Sequence, residues 1–205
     1  MHGLPALYAI VDPLEGERTP AALAALLLAG GARLVQLRLK RATSRDLLAA
    51  AERIRPLAHA AGALFLVNDR PDVARAVEAD GVHLGQDDLP VAAARRVLGP
   101  GRMVGVSTHD VEQARAAVAD GADYVAVGPI YATTSKDHPI PPRGLELVRA
   151  VRAAVPCPIV AIGGITAETA PLVRAAGADA VAMIGALVRA PDPAAAVREA
   201  LARIG

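Results

Sequence analysis

Short apolar segments rich in β-branched residues alternate along the chain with longer stretches rich in Ala, Leu and Arg. A compact apolar run is typical of a strand that is buried on both faces, as the strands of a parallel sheet are. The alternation of such strands with amphipathic helices therefore predicts an α/β fold with a parallel sheet. The eight predicted strands are residues 5–11, 33–39, 63–68, 81–85, 103–107, 123–129, 158–162 and 180–184.

Eight strand–helix units within 205 residues predict closure of the sheet into a (β/α)₈ barrel, a TIM barrel with short loops. An open, doubly wound sheet is the structural alternative. A weak internal repeat places a Gly or an Asp just before several strands, in GGARLVQL, ADGVHLGQ, GADYVAVG and AGADAVAM. No linker and no low-complexity segment divides the sequence, so residues 1–205 are predicted to form a single domain.

Helix starts are predicted where a capping oxygen is followed by early acids or a proline. These conditions are met at Thr19-Pro20, between Thr108 and Glu112, and between Thr166 and Glu168. Pro56 is expected to kink or end the helix that contains it, because proline lacks the backbone N–H.

The composition excludes several classes of function. The 22 basic and 21 acidic residues nearly balance, which argues against binding to nucleic acid or to a membrane surface. The single cysteine, Cys157, cannot form an internal disulfide and precedes a strand at the end opposite the expected site, so we interpret it as structural. Because the N-terminus also lacks the pattern of a signal peptide, a cytoplasmic location is expected.

The rare residue types gather behind the predicted strands. Only two of the 22 basic residues are lysines, Lys40 and Lys136, and Asn68 is the only asparagine. All three lie at the end of a predicted strand or in the segment after it, as do two of the three serines, Ser107 and Ser135. In a (β/α)₈ barrel the catalytic groups lie at the carboxyl ends of the strands, so this distribution indicates a functional site there.

Basic and polar residues alternate at the end of the second predicted strand. With a period of two, Gln36, Arg38 and Lys40 would point to the same side of that strand. Three such groups inside a barrel require a polar ligand, and Arg and Lys both suit phosphate. The alternative is a strand end that emerges into solvent beside Arg41.

Two acids and three glycines extend the predicted site. Asp69 and Asp88 follow adjacent strands, and two carboxylates beside a basic cluster suit Mg²⁺ that is shared with substrate phosphates. A helix cap at Asp69 and a solvated loop at Asp87-Asp88 are the alternatives. Gly163, Gly164 and Gly185 follow the last two strands, where this fold commonly binds phosphate, although tight turns alone would also use glycine. No histidine pair has the spacing of zinc ligands, and His109 is expected in the first turn of a helix.

Several segments in this order, QLRLK, NDR, GVHLGQDD, VGVSTH, GADYVAVGPIYATTSK, PPRGLE and VAIGGI, closely resemble the thiamine phosphate synthase family. The resemblance covers nearly the whole chain and implies a (β/α)₈ barrel. It also implies that 4-amino-5-hydroxymethyl-2-methylpyrimidine diphosphate is joined to thiazole phosphate, which releases pyrophosphate and forms thiamine phosphate. No protein nucleophile or redox cofactor is then required.

The resemblance also implies roles for individual residues. The pyrimidine diphosphate would be bound by Gln36, Arg38, Lys40, Asn68, Ser107 and Lys136. The thiazole phosphate would be bound by Thr133, Ser135, Gly164, Ile184 and Gly185. Asp69 and Asp88 would hold Mg²⁺, and the catalytic roles would fall to Arg38, Ser107 and Lys136.

Three departures from the family pattern and two rival functions stay open at the level of sequence. Ser135 stands where Thr is frequent, Gly185 stands where Ser is common, and an N-terminal helix of some relatives is expected to be missing. A thiazole tautomerase of the same superfamily would not need Lys40 or the paired carboxylates. A catalytically silent, phosphate-binding regulatory barrel is the other alternative. A homodimer is expected only because dimers are the commonest oligomers.

Overall fold

The computed structural model describes residues 3–14, 16–133 and 141–205, and its strands form one closed parallel barrel. Each strand pairs with the next in the chain, and the first pairs with the last, which excludes the open sheet. The predicted (β/α)₈ barrel is therefore confirmed. Its strands are β1 (Leu7–Val11), β2 (Leu34–Leu37), β3 (Leu64–Asn68), β4 (Gly81–Leu84), β5 (Met103–Thr108), β6 (Tyr124–Val127), β7 (Ile159–Ile162) and β8 (Ala180–Met183).

Helices connect consecutive strands and cover the outside of the barrel. A short helix and a longer one follow β8. In the described residues they are α1 (Pro20–Ala29), α2 (Ser44–Ala60), α3 (Pro71–Ala76), α4 (Val91–Leu98), α5 (Val111–Ala119), α6 (Gly144–Ala154), α7 (Ala170–Ala175), α8 (Gly185–Val188) and α9 (Pro193–Ile204).

The observed helix starts agree only in part with those predicted from the sequence. Thr19 caps α1 as predicted, since its side chain accepts from the backbone N–H of Ala22 at 3.3 Å. Thr108 is instead the last residue of β5, and Asp110 caps α5 by accepting from Gln113. The predicted start at Thr166 is wrong, because α7 begins only at Ala170.

Pro56 lies inside α2 and does not end it. The helix runs without interruption for 17 residues. One missing backbone donor is tolerated because Leu47, Ala51, Ile54 and Ala58 hold the helix on the barrel through a continuous buried face.

Two hydrophobic layers stabilise the barrel, one between strands and helices and one inside the ring of strands. The inner layer contains both fully buried tyrosines, Tyr8 and Tyr124. Gly105 makes room for the second ring, because a Cβ at this position would stand 1.9 Å from Cζ of Tyr124. The polar ends of these tyrosines face one another inside the barrel, which matters for the site above them.

Three aspartates, here called the strand-start aspartates, stand immediately before β4, β6 and β8. Each forms a reciprocal pair with the strand that precedes it in the barrel: its backbone N–H donates to a carbonyl, and its carboxylate accepts from the same residue's N–H at 2.7 to 2.8 Å. In the three repeat segments that contain an aspartate, ADGVHLGQ, GADYVAVG and AGADAVAM, the repeat is therefore a hydrogen-bonding unit at the amino end of a strand. The pairs are Asp80 with Phe65, Asp123 with Val104, and Asp179 with Ile159.

Candidate active site

A cavity of about 770 Å³ opens at the carboxyl ends of the strands. The predicted site residues that the structure describes all line it, although they come from seven of the eight strand ends. Ser135 and Lys136 lie outside the described residues. The residues brought together are Gln36, Arg38, Lys40, Asn68, Asp69, Asp88, Ser107, Thr133, Gly164, Ile184 and Gly185.

Arg38 and Lys40 line the cavity as predicted, but they lie beyond the end of β2. The strand ends at Leu37, so regular alternation accounts for Gln36 but not for Arg38 and Lys40. Arg38 is held instead by Asp12, whose other carboxylate oxygen accepts from the backbone N–H of Leu14 at 3.0 Å. Sequence analysis missed Asp12, although its position directly after β1 was a usable signal.

The two predicted metal ligands are close neighbours and do not serve the alternative roles. Arg70, not Asp69, stands at the N-cap of α3. Asp69 has a backbone φ of +62° and accepts a hydrogen bond from the Lys40 ammonium. The carboxylate of Asp88 accepts from the backbone N–H of Gly85 at 2.7 Å, so it is held in place rather than simply solvated.

The electrostatics of this acid pair favour an added cation. Burial and the neighbouring Asp88 raise the pKa of Asp69 to about 6, against the opposing effect of Lys40. Among the described residues, no group of three or more His, Cys, Asp and Glu side chains could hold a metal alone. Two carboxylates that leave further positions to water and substrate phosphates are a donor set that fits Mg²⁺.

A chain of hydrogen bonds crosses the barrel interior beneath the cavity. Gln36 donates to the Tyr8 hydroxyl at 2.6 Å, and the hydroxyls of Tyr8 and Tyr124 lie 3.1 Å apart. His83 contacts Tyr124 through Nδ1 at 2.8 Å and Ser107 through Nε2 at 2.9 Å. Burial raises the pKa of both tyrosines, so the chain is neutral at these positions and fixes the orientation of Ser107 at the floor.

The interior chain includes three residues that sequence analysis did not select: Tyr8, His83 and Tyr124. All three lie within strands, where apolar neighbours mask them. The usable signal was their polar tips at inward-facing positions of a barrel, where a buried polar atom needs a partner.

Three glycines follow β7 and β8: Gly163, Gly164 and Gly185, here called the glycine corner. They line the same cavity as Thr133, which follows β6. Gly164 has a φ of +62°, and a Cβ there would stand 2.3 Å from the carbonyl oxygen of Ala132. The backbone N–H of Tyr131 donates to Gly163 at 2.9 Å. The loops after β6 and β7 therefore pack as one unit, and only glycine permits their close approach.

Two further polar residues line the cavity. His109 precedes α5 instead of lying in its first turn, and its Nδ1 is 2.6 Å from the carbonyl oxygen of Gly128. Arg189 directly follows α8, next to the glycine corner. Neither was assigned a role from the sequence, since one histidine and one of many arginines carry no pattern.

Comparison with known proteins identifies the family of this chain. The sequence model of the thiamine monophosphate synthase family matches residues 7–187. The chain belongs to this family. A thiamine-phosphate synthase of Methanoculleus marisnigri is 53% identical over 199 residues, which cover 97% of this chain and 94% of that protein. The thiamine-phosphate synthase of Moorella thermoacetica is 51% identical, over 94% of this chain and 92% of the relative.

Solved structures give the same result. The thiamine phosphate pyrophosphorylase from Pyrococcus furiosus superposes with a TM-score of 0.87 at 36% identity, covering 97% of this chain and 94% of that one. A 3-hexulose-6-phosphate synthase superposes with a TM-score of 0.66 at 22% identity, which shows a shared fold alone. Within the part of the chain that the structure describes, no helix is long and apolar enough to cross a membrane.

Proposed function

We propose that this member of the thiamine monophosphate synthase family joins 4-amino-5-hydroxymethyl-2-methylpyrimidine diphosphate to thiazole phosphate in thiamine biosynthesis, with the help of Mg²⁺. The observation that carries the proposal is one cavity lined by basic side chains, a pair of carboxylates and the glycine corner. The names and identities of the relatives support it. The reaction breaks the carbon–oxygen bond to the diphosphate and forms a bond from the thiazole nitrogen to the same carbon.

The basic side of the cavity suits the diphosphate. Arg38 and Lys40 contribute positive charge, and Asp12 fixes the direction of the Arg38 guanidinium. Asn68 adds an amide within the same cavity. Bound at Asp69 and Asp88, Mg²⁺ would supply further positive charge to the diphosphate and to the pyrophosphate that leaves. Lys136 is proposed to hold the departing pyrophosphate.

The floor of the cavity suits the pyrimidine ring. Ser107 and Gln36 are the two ends of the interior hydrogen-bond chain, so their positions are fixed before a ligand arrives. As the carbon–oxygen bond breaks, the amino-substituted ring delocalises positive charge, and the positioned thiazole nitrogen attacks. Tyr8 and Tyr124 are neutral, so they add no charge of their own beneath the ring.

The other side of the cavity suits thiazole phosphate. Thr133 and the glycine corner face the same space, and close packing of their two loops fixes their spacing. Ser135 is proposed to add a second hydroxyl. Backbone N–H groups at Gly164 and Gly185 would bind the phosphate, since Gly185 has no side chain that could contribute a contact.

The acid pair favours the synthase over its rivals. A tautomerase releases no pyrophosphate, so it has no use for Lys40 beside Asp69 and Asp88. A silent phosphate-binding barrel would not require this pair either. The cytoplasmic location and the homodimer stay predictions, and sedimentation velocity at micromolar concentration would decide the second.

The direct test incubates the purified chain with both substrates, once with Mg²⁺ and once with EDTA. We expect equimolar thiamine phosphate and pyrophosphate with Mg²⁺, and little product with EDTA. The absence of product under conditions in which a known synthase converts the same substrates would refute the proposed function. Full activity in EDTA would refute the role of the acid pair alone.

A further inference from the structure

Arg189 lines the active-site cavity from the side of the glycine corner. It is the first residue after α8, and its backbone N–H donates to Gly185 at 3.1 Å. Arg18 holds the same segment, since its guanidinium donates to the carbonyls of Val188 and Pro191 at 3.3 and 3.1 Å. The backbone of Arg189 is therefore fixed on both sides while its side chain faces the cavity.

The guanidinium of Arg189 uses the space that the absent side chain at position 185 leaves. A Cβ built on Gly185 would stand only 2.8 Å from Nη1 of Arg189. That distance is too short for two unbonded atoms, so any larger residue would displace the guanidinium. Gly185 and Arg189 are thus geometrically linked: the glycine admits the cation to the corner.

The positively charged side chains that line the cavity in the described residues form two groups. Arg38 and Lys40 follow β2, and both are engaged by carboxylates, those of Asp12 and Asp69. Arg189 follows β8, and within residues 3–14, 16–133 and 141–205 no hydrogen bond or ion pair engages its guanidinium. An anion bound at the glycine corner would provide the missing partner, because a guanidinium binds phosphate through two parallel hydrogen bonds.

We propose that Arg189 binds the phosphate group of thiazole phosphate and thereby sets the affinity of this chain for its second substrate. The proposal rests on the proposed function, which places that phosphate at the glycine corner. In this chain a cationic side chain from position 189 takes over the contact that a side chain at position 185 would otherwise make.

The first test compares the wild-type chain with Arg189→Ala. Loss of a charge-assisted hydrogen bond predicts about a tenfold weaker Kd for thiazole phosphate, measured by isothermal titration calorimetry. The KM for the pyrimidine diphosphate should change by less than about twofold, since that substrate lies on the opposite side. Arg198→Ala on α9 is the matched control, because it removes an exposed arginine that does not line the cavity.

Two further variants separate phosphate binding from a structural effect. Gly185→Ser in the Arg189→Ala background should recover part of the lost affinity, because a hydroxyl then occupies the emptied space. Arg189→Lys should retain part of the affinity, since it keeps the charge without the forked geometry. Thermal unfolding of each variant confirms that the barrel is intact.

Binding and turnover are scored separately. An unchanged Kd for thiazole phosphate in Arg189→Ala, or no binding by the wild-type chain, overturns the role of Arg189. Absence of thiamine phosphate formation by a wild-type chain that does bind thiazole phosphate overturns the proposed function but leaves the binding comparison decisive. A tenfold loss confined to thiazole phosphate supports the proposal.

Discussion

Asp69 shows how much of this site is decided around a single residue. Its backbone lies in the left-handed region at φ +62°, its carboxylate is partly buried, and it is close to both Asp88 and Lys40. The net effect raises its pKa to about 6 from an ordinary value of 3.8. The sequence identified the residue, but its protonation depends on neighbours that are distant in the chain.

We predict that Asp69→Asn stabilises the metal-free protein above pH 6. Between pH 3.8 and about 6 the folded state keeps a proton that the unfolded state has released, so wild-type stability falls as the pH rises through this range. Asparagine does not titrate and tolerates the left-handed conformation. The gain should be absent below pH 4, grow to about pH 6 and then stay constant.

The measurement is urea unfolding of both proteins in EDTA across this pH range. Asp72→Asn is the matched control with the opposite sign, because Arg70 lowers the pKa of Asp72. Replacing the Asp72 carboxylate should lower the free energy of unfolding above pH 4. A stability difference for Asp69→Asn that does not vary with pH would contradict the assigned electrostatic cause.

At the scale of secondary-structure elements, the strand-start aspartates connect neighbouring strands of the barrel. At Asp123 the carboxylate accepts from the backbone N–H of Val104 at 2.7 Å and from the Arg95 guanidinium at 2.8 Å. A local repeat in the sequence thus ties β5 to the start of β6. Parallel strands cannot be joined by a tight turn, so a side-chain contact at the strand start helps to set their register.

Asp123→Ala should lower the free energy of unfolding by about 1 to 3 kcal/mol, because the Val104 N–H loses its partner at the end of a buried strand. Asp123→Asn keeps an acceptor oxygen and should cost less. Denaturant unfolding measures both. Asp120→Ala, at an exposed position three residues earlier, is the control and should be near neutral. Equal losses for Asp123→Ala and Asp120→Ala would show that the contact contributes nothing.

At the scale of the whole molecule, the two ends of the barrel have separate tasks. The strand-start aspartates stabilise the amino ends of the strands, and the polar cavity occupies the carboxyl ends. Such a division is general for this fold, and here it follows from the direction that all eight strands share.

Variants at the carboxyl ends should therefore change substrate binding, whereas variants at the amino ends should change the free energy of unfolding. Lys40→Ala is expected to raise the KM for the pyrimidine diphosphate at least about tenfold. It should change the free energy of unfolding by less than about 1 kcal/mol, since the Lys40–Asp69 ion pair is half exposed at the lysine. Asp123→Ala should lower stability and leave both KM values unchanged. Steady-state kinetics and urea unfolding of the same two preparations decide it, and a matching loss of stability in Lys40→Ala would contradict the division.

The amino-acid sequence by itself determined the eight strands, their parallel arrangement and the concentration of rare polar residues behind them. These features depend on residues that are neighbours in the chain, so periodicity and composition express them directly. The resemblance to a known family added the candidate roles of individual residues.

Only the tertiary structure decided which side chains meet. Closure of β1 on β8 and the stagger of the strands bring the Tyr8 and Tyr124 hydroxyls to 3.1 Å across 116 positions of sequence. The pairing of β1 with β2 likewise brings Arg38 to Asp12, 26 positions away in the chain. A local pattern states that a strand forms and which way it faces, but distances between strands depend on the ring as a whole.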